Sequence, residues 1–297
     1  MAADAAPAGS PRFAGPAGQS RRASATPPMR QARRHQTLWR HALRLGALLL
    51  LCGLSLQFYF IARIALMAVL APQSTAFQRS EVWRLAVEQH QVAWAQDWVD
   101  DKRIAATLKR AVIASEDAGF VEHNGVEWDA LEQAWEKNQR AFTAAERRNV
   151  QLDKPAEKRA EKRRAAAQPN ARVEPKLVGG STISQQLAKN LFLSGERTAL
   201  RKAQEFVITL ALEALLSKRR ILEIYLNSVE WGEGVFGAQA AARYYFRSDA
   251  ARLDAASAAR LAVMLPAPKR FEKNPGSAYV SGRAAVIAAR MGAVALP

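Results

Sequence analysis

From Leu45 to Ala62 the chain runs through 18 residues broken only by Ser55 and Gln57. At 1.5 Å per residue such a helix is about 27 Å long, close to the roughly 30 Å hydrocarbon thickness of a bilayer. A cleaved signal peptide and a buried core helix are the two competing readings. The basic stretch before the run is long for a signal peptide, and Arg63 is followed by more apolar sequence, Ile64 to Leu70, rather than by a small-residue cleavage site. The run therefore reads as an uncleaved transmembrane anchor over 45–70. Residues 1–44 carry arginines from Arg12 to Arg44 opposed only by Asp4, the composition of a disordered basic tail. By the positive-inside rule that tail stays in the cytoplasm and residues 71–297 form a domain on the other side.

The formal charge of +16 invites a nucleic-acid reading, which the distribution argues against. Beyond the tail, the basic surplus is concentrated in 139–178, and no basic motif interleaved with aromatics occurs. Anionic head groups or a pyrophosphate are the better-matched partners, with no nucleic acid among them. The segment 139–178 is rich in Ala, Glu, Lys and Arg, contains Pro155, Pro169 and Pro175, and lacks an apolar stripe, so it reads as a solvated insert with some helix. Cys52, the only cysteine, lies inside the anchor, so the exported domain has no disulfides.

Within that domain the apolar periods are helical. Ile104, Leu108 and Val112 mark one helix ending at Ser115-Glu116-Asp117; others are expected over 182–192, 200–216, 220–227, 239–246 and 257–264. Phe206 to Leu212 is apolar on nearly every side, which predicts a central buried helix. No alternating strand pattern stands out, and the fold class is mainly α.

The densest chemistry lies in Gly179-Gly180-Ser181-Thr182-Ile183-Ser184-Gln185-Gln186-Leu187-Ala188-Lys189-Asn190. Thr182 and Gln185 have capping-box spacing, so a helix starts here with its backbone N–H groups available to an anion. Ile183, Leu187 and Leu191 share one face. Thr182, Gln185, Gln186 and Lys189 share the other, as on a helix that lines a polar cleft. Glu116 follows an apolar helix, and a partly desolvated carboxylate there suits a general base working near neutral pH. Lys189, Arg201 and Lys202 suit a leaving group that develops negative charge. Glu205, one turn after Arg201 and Lys202, is placed to pair with them.

These segments, with Glu116 to Gly125, Arg201-Lys202-Ala203-Gln204-Glu205, Ile221 to Asn227 and Val229 to Gly237, resemble the peptidoglycan glycosyltransferases of glycosyltransferase family 51. The closest likeness is to the monofunctional, membrane-anchored type, over about residues 100 to 275. The resemblance implies a lysozyme-like glycosyltransferase domain in the periplasm, held by one helix in the inner membrane. It would polymerise lipid II into β-1,4-linked glycan with inversion and release of undecaprenyl diphosphate. It makes Glu116 and Glu205 the catalytic carboxylates. It also puts Asp117, Phe120, His123, Gly180, Ser181, Thr182, Gln185, Gln186, Lys189, Asn190, Arg201, Lys202 and Asn227 at the substrate. A hydrogen-bonded structural role is the alternative for His123. No cofactor is required, and a divalent cation, magnesium or manganese, at the pyrophosphate is left open. Lipid II, the growing glycan and the membrane are the implied partners, with other cell-wall synthesis or division proteins as further ones.

Glu127 stands where the family has Asp, Ser257 replaces a common Glu, and Arg247-Ser248 replaces a small-basic pair. Two other readings bear on the same residues. A glycan-cleaving lysozyme-like enzyme has no need of the cationic group. An inactive anchored scaffold has no need of the two carboxylates. The topology is directly testable: a reporter fused after Ala71 is expected to be active only outside the cytoplasm, and cytoplasmic activity would refute the anchor reading.

Overall fold

The computed structural model describes the backbone of residues 29–163 and 180–297, apart from 194 and 197, and their side chains from 38 onward except at 130 and 152–163. Residues 1–28 and 164–178, where parts of the basic tail and of the insert were expected, lie outside the described residues. The chain divides into two compact units, Met1–Ser55 and Leu56–Pro297. Helix α1 (Met29–Met67) begins well before the apolar run, so residues 29–44 are helical where a disordered tail was expected. Its stretch Leu38–Met67 is long and apolar enough to cross a membrane.

The second unit opens inside that helix. Phe60, Ile64 and Met67 recur at i, i+4 and i+7, so they fall on one side and are buried in the core. Between them Ile61 and Leu66 stay exposed. Gln57 exchanges two amide hydrogen bonds with Gln204, at 2.7 and 3.0 Å. Arg220 donates to the carbonyls of Met67 (2.7 Å) and Leu70 (2.9 Å), closing the C-terminal end of α1. The end of the anchor helix, from Leu56, thus packs as part of the second compact unit.

The helices that follow are α2 (Ala76–Arg84), α3 (Ala106–Glu116), α4 (Trp128–Arg163), α5 (Ile183–Phe192), α6 (Ala199–Leu215), α7 (Lys218–Ser228), α8 (Ala238–Phe246), α9 (Ala255–Met264), α10 (Pro268–Phe271) and α11 (Ala278–Arg290). Three short strands, β1 (Ala95–Gln96), β2 (Glu230–Gly232) and β3 (Val235–Phe236), form a sheet in the order β1-β3-β2, parallel then antiparallel. They are too short to leave an alternating pattern in the sequence. The fold is mainly α.

Two expectations are corrected. The central buried helix is α7, in which every residue from Ile221 to Ser228 is buried. Helix α6 buries Ile208 and Leu212 but exposes Phe206, Val207, Leu210 and Leu215, because only one of its apolar faces meets protein. The segment after 139 continues α4 as a helix to Arg163, consistent with its Ala, Glu, Lys and Arg content and the Glu136–Arg140 pair (3.0 Å). The exposed apolar residues of α4, Trp128, Leu131, Trp135 and Phe142, begin before the segment that was read as an insert.

Asn227 explains how α7 organises its neighbours. Fully buried, its side chain accepts from the Val99 N–H (2.9 Å) and donates to the carbonyls of Val99 (2.9 Å) and Glu223 (2.9 Å). The segment before α3 is pinned to α7 in this way. Gly237 follows at φ 84, and a Cβ there would lie 2.7 Å from the Asn227 carbonyl oxygen, so glycine is required. Replacing Asn227 by Ala strands both Val99 backbone groups and should cost about 2–4 kcal/mol of stability. A thermal melt of the detergent-solubilised chain would detect this, and an unchanged midpoint would contradict it.

Candidate active site

Helix α5 starts as its capping box requires. Thr182 Oγ1 accepts from the Gln185 N–H (3.2 Å), and Gln185 Oε1 accepts from the Thr182 N–H (3.2 Å). The Thr182 hydroxyl then donates to the Gly125 carbonyl (2.6 Å). The expected anion site at this helix end is filled from within the chain: Asp117 Oδ2 accepts from the Ile183 N–H (2.9 Å). The other oxygen of Asp117 accepts from His123 Nε2 (2.8 Å), and His123 Nδ1 accepts from the Gly125 N–H (3.1 Å), which fixes the tautomer. Asp117 and His123 therefore join the end of α3 to the start of α5. The structural reading of His123 accounts for both ring nitrogens.

That junction brings Glu116 against α5. Gln186 Nε2 donates to Glu116 Oε2 (2.9 Å), while Gln186 Oε1 accepts from the Tyr225 hydroxyl (2.9 Å). The amide is held at both ends, and the carboxylate gains an oriented donor. Burial pushes the Glu116 carboxyl above its ordinary value; Gln186 and Ser115 pull it back, and the Asp117 charge adds to the rise. Burial also holds the Tyr225 hydroxyl well above the usual phenol value, with the Glu116 and Asp117 charges adding to the rise, so it acts as a donor at ordinary pH.

On α6, Glu205 is buried and takes Arg201 Nη1 on Oε2 (2.8 Å) and the Lys202 ammonium on Oε1. The pairing anticipated from the spacing is the one formed. Arg201 Nε is buried without a partner. A cleft of about 480 Å³ is lined by Ser181, Gln185, Gln186, Lys189, Asn190, Arg201, Lys202 and Glu205 from α5, α6 and the turn before α5. Phe77, Ser80, Leu193, Gly195, Val229, Glu230, Leu265, Pro266 and Pro268 complete it.

Several expected substrate residues sit elsewhere. Phe120 is fully buried under the Lys218 ammonium (4.6 Å from the ring centroid), and Asn227 has its side chain engaged inside the core. Glu116, Asp117, His123, Thr182 and Gly180 are absent from the cleft lining; Glu116 is bonded to the lining residue Gln186, and Asp117, His123 and Thr182 are occupied by the α3–α5 junction. These residues shape the site without lining it. Tyr225 and Glu230 were given no role in the sequence reading, although a tyrosine between Ile224 and Leu226 and a glutamate between Val229 and Trp231 were visible signals. Ligand atoms of Asp117, His123 and Glu127 lie within 4.8 Å of one another, as a metal site would need. The two Asp117 oxygens and both His123 nitrogens are already satisfied, so this group does not fit a resident metal.

A helical domain whose cleft carries a carboxylate-braced cationic pair, and an amide bonded to a partly buried carboxylate, defines a class of enzymes acting on substrates with anionic leaving groups. The transglycosylase family profile matches residues 84–149 and 139–292. The chain is 50% identical over 245 residues to a biosynthetic peptidoglycan transglycosylase of Burkholderia pseudomallei (82% of this chain, 83% of that one). It is 47% identical over 254 residues to one of Paraburkholderia phytofirmans (85% and 92%), and 46% identical over 267 residues to one of Burkholderia orbicola (90% and 96%). The chain belongs to the transglycosylase family.

The Gln186 bond stabilises the charged form of Glu116. Substituting Gln186 by Leu should move the Glu116 titration to higher pH, as read by carbon-detected NMR of the labelled carboxyl. A midpoint that stayed or fell would show that the amide does not stabilise the charge.

Proposed function

We propose that this chain is a peptidoglycan glycosyltransferase that polymerises lipid II into β-1,4-linked glycan strands and releases undecaprenyl diphosphate. The observation that carries the reading is one cleft lined both by Gln186, which holds the partly buried Glu116 at 2.9 Å, and by the Arg201–Lys202–Glu205 cluster. The names of the relatives support the same reaction. Glu116 takes the proton of the acceptor's 4-hydroxyl as its oxygen bonds to the anomeric carbon of the donor. The bond from that carbon to the pyrophosphate oxygen breaks with inversion, and the departing charge is met by Lys189, Arg201 and Lys202. Glu205 fixes the cations that meet it. Both Glu205 oxygens are engaged by these side chains, so the donor set does not favour a magnesium or manganese ion there.

A lipid-linked substrate gives the anchor a purpose. The Gln57–Gln204 bonds tie the anchor helix to α6, whose exposed Phe206, Val207 and Leu210 offer an apolar face for lipid, so substrate can enter laterally. With the N-terminus in the cytoplasm, the anchor lies in the inner membrane and the cleft opens into the periplasm. Other proteins of wall synthesis or division are natural neighbours there.

In polymerisation assays with purified full-length chain, Glu116→Gln should lower the rate by roughly 100-fold or more while lipid II still binds. Glu205→Gln should both raise KM and lower kcat, because Arg201 and Lys202 lose their brace. A fully active Glu116→Gln variant, or a glycosyl ester trapped on either carboxylate, would overturn the mechanism.

A further inference from the structure

Glu230 begins β2 on the cleft wall and is only 6% exposed. Its neighbouring carboxylates are all provided for. Glu81 holds Lys269 Nζ (2.5 Å) and Arg84 Nε (2.9 Å), Glu233 accepts from Gln89 (3.0 Å), and Glu272 accepts from the Glu233 N–H (2.6 Å). Glu230 is less well provided for, with only a long ion pair to Lys269. Its Oε1 is buried without an ordinary hydrogen bond, and the nearest cation, Lys269 Nζ on α10, stands 3.6 Å away, drawn toward Glu81. Burial raises the Glu230 carboxyl to about 7, with Glu81 from α2 and Glu272 adding to the rise and Lys269 opposing it. A buried carboxyl left unsatisfied is destabilising, and a cleft is where a ligand can supply the missing partner.

We propose that Glu230 is a substrate-binding residue whose carboxylate accepts a hydrogen bond from a neutral donor of the glycan, a sugar hydroxyl or an acetamido N–H. The chemistry of the wall selects this class. Phe77, Leu265, Pro266 and Pro268 present apolar faces suited to sugar rings, and Ser80 adds a hydroxyl. Phosphate is disfavoured beside Glu81, Glu230 and Glu272, and the cationic position is already taken by Lys269. The pyrophosphate belongs at Arg201 and Lys202, so Glu230 would read the saccharide. This inference rests on the glycan-polymerising reading of the cleft.

The test uses full-length chain and fluorescent lipid II. Glu230→Ala should raise KM about 10-fold with kcat within a factor of about three, and Glu230→Gln, which keeps a carbonyl acceptor, should restore most of the loss. The kcat/KM profile of the unsubstituted chain should rise through pH 7, and the Gln variant should lose that inflection while keeping the one due to Glu116. At pH 8 the Gln variant should also melt a few degrees higher, because it no longer buries an unpaired charge, and at pH 5 the difference should vanish. An unchanged KM in Glu230→Ala overturns the proposal. So does a KM that rises with salt only when Glu230 is present, since that indicates a cationic donor. Binding of a β-1,4 N-acetylglucosamine tetramer, followed by ligand-observed NMR, separates the two readings. Glu230-dependent binding by a chain that makes no glycan would sink the polymerase reading and leave this one standing.

Discussion

The geometry of the cleft depends on one carboxylate that never reaches it. Asp117 bonds the first N–H of α5 with one oxygen and His123 with the other, so the start of α5 and the end of α3 cannot separate without exposing a buried charge. Breaking one partner of such a buried arrangement is far more damaging than any surface ion pair. Because Glu116 is the preceding residue, its position follows from that of Asp117. The helix terminus thus fixes where the Glu116 carboxyl sits.

The same division of labour recurs around the cleft. Tyr225 holds Gln186, Gln186 holds Glu116, and Glu205 holds Arg201 and Lys202, so each polar group at the cleft is fixed by a neighbour. Glu213 does the same behind α5, taking Ser184 (2.5 Å) and Lys218 (2.8 Å). This is costly in buried polar groups, and it explains why α7, which carries Tyr225 and Asn227, must be packed on every side.

The sequence made the helix starts and the i, i+4 pairs readable because those are local: Thr182 with Gln185, and Arg201 with Glu205, are fixed by neighbours three or four residues away. That Phe120 and Asn227 pack inside the fold was not readable for a different reason. Their motif membership says that they matter near the site, but whether a side chain turns to the cleft or to Val99 is decided by tertiary contacts. Helix α6 shows a third limit, since an apolar face that stays exposed reads in sequence like one packed in the core. The sheet strands, two or three residues each, carry too little pattern to be seen.

Phe60, Ile64 and Met67 belong at once to the anchor helix and to the core of the catalytic unit. A soluble fragment cut at the end of the apolar sequence would not be a domain released from its leash. It would be a domain with an open seam, where Phe192, whose ring meets Phe60 edge-on at 5.1 Å, faces water. Detergent dependence in such fragments would then report a missing piece of protein, not only a missing membrane. Solubility would have to be engineered by repacking that seam rather than by trimming further.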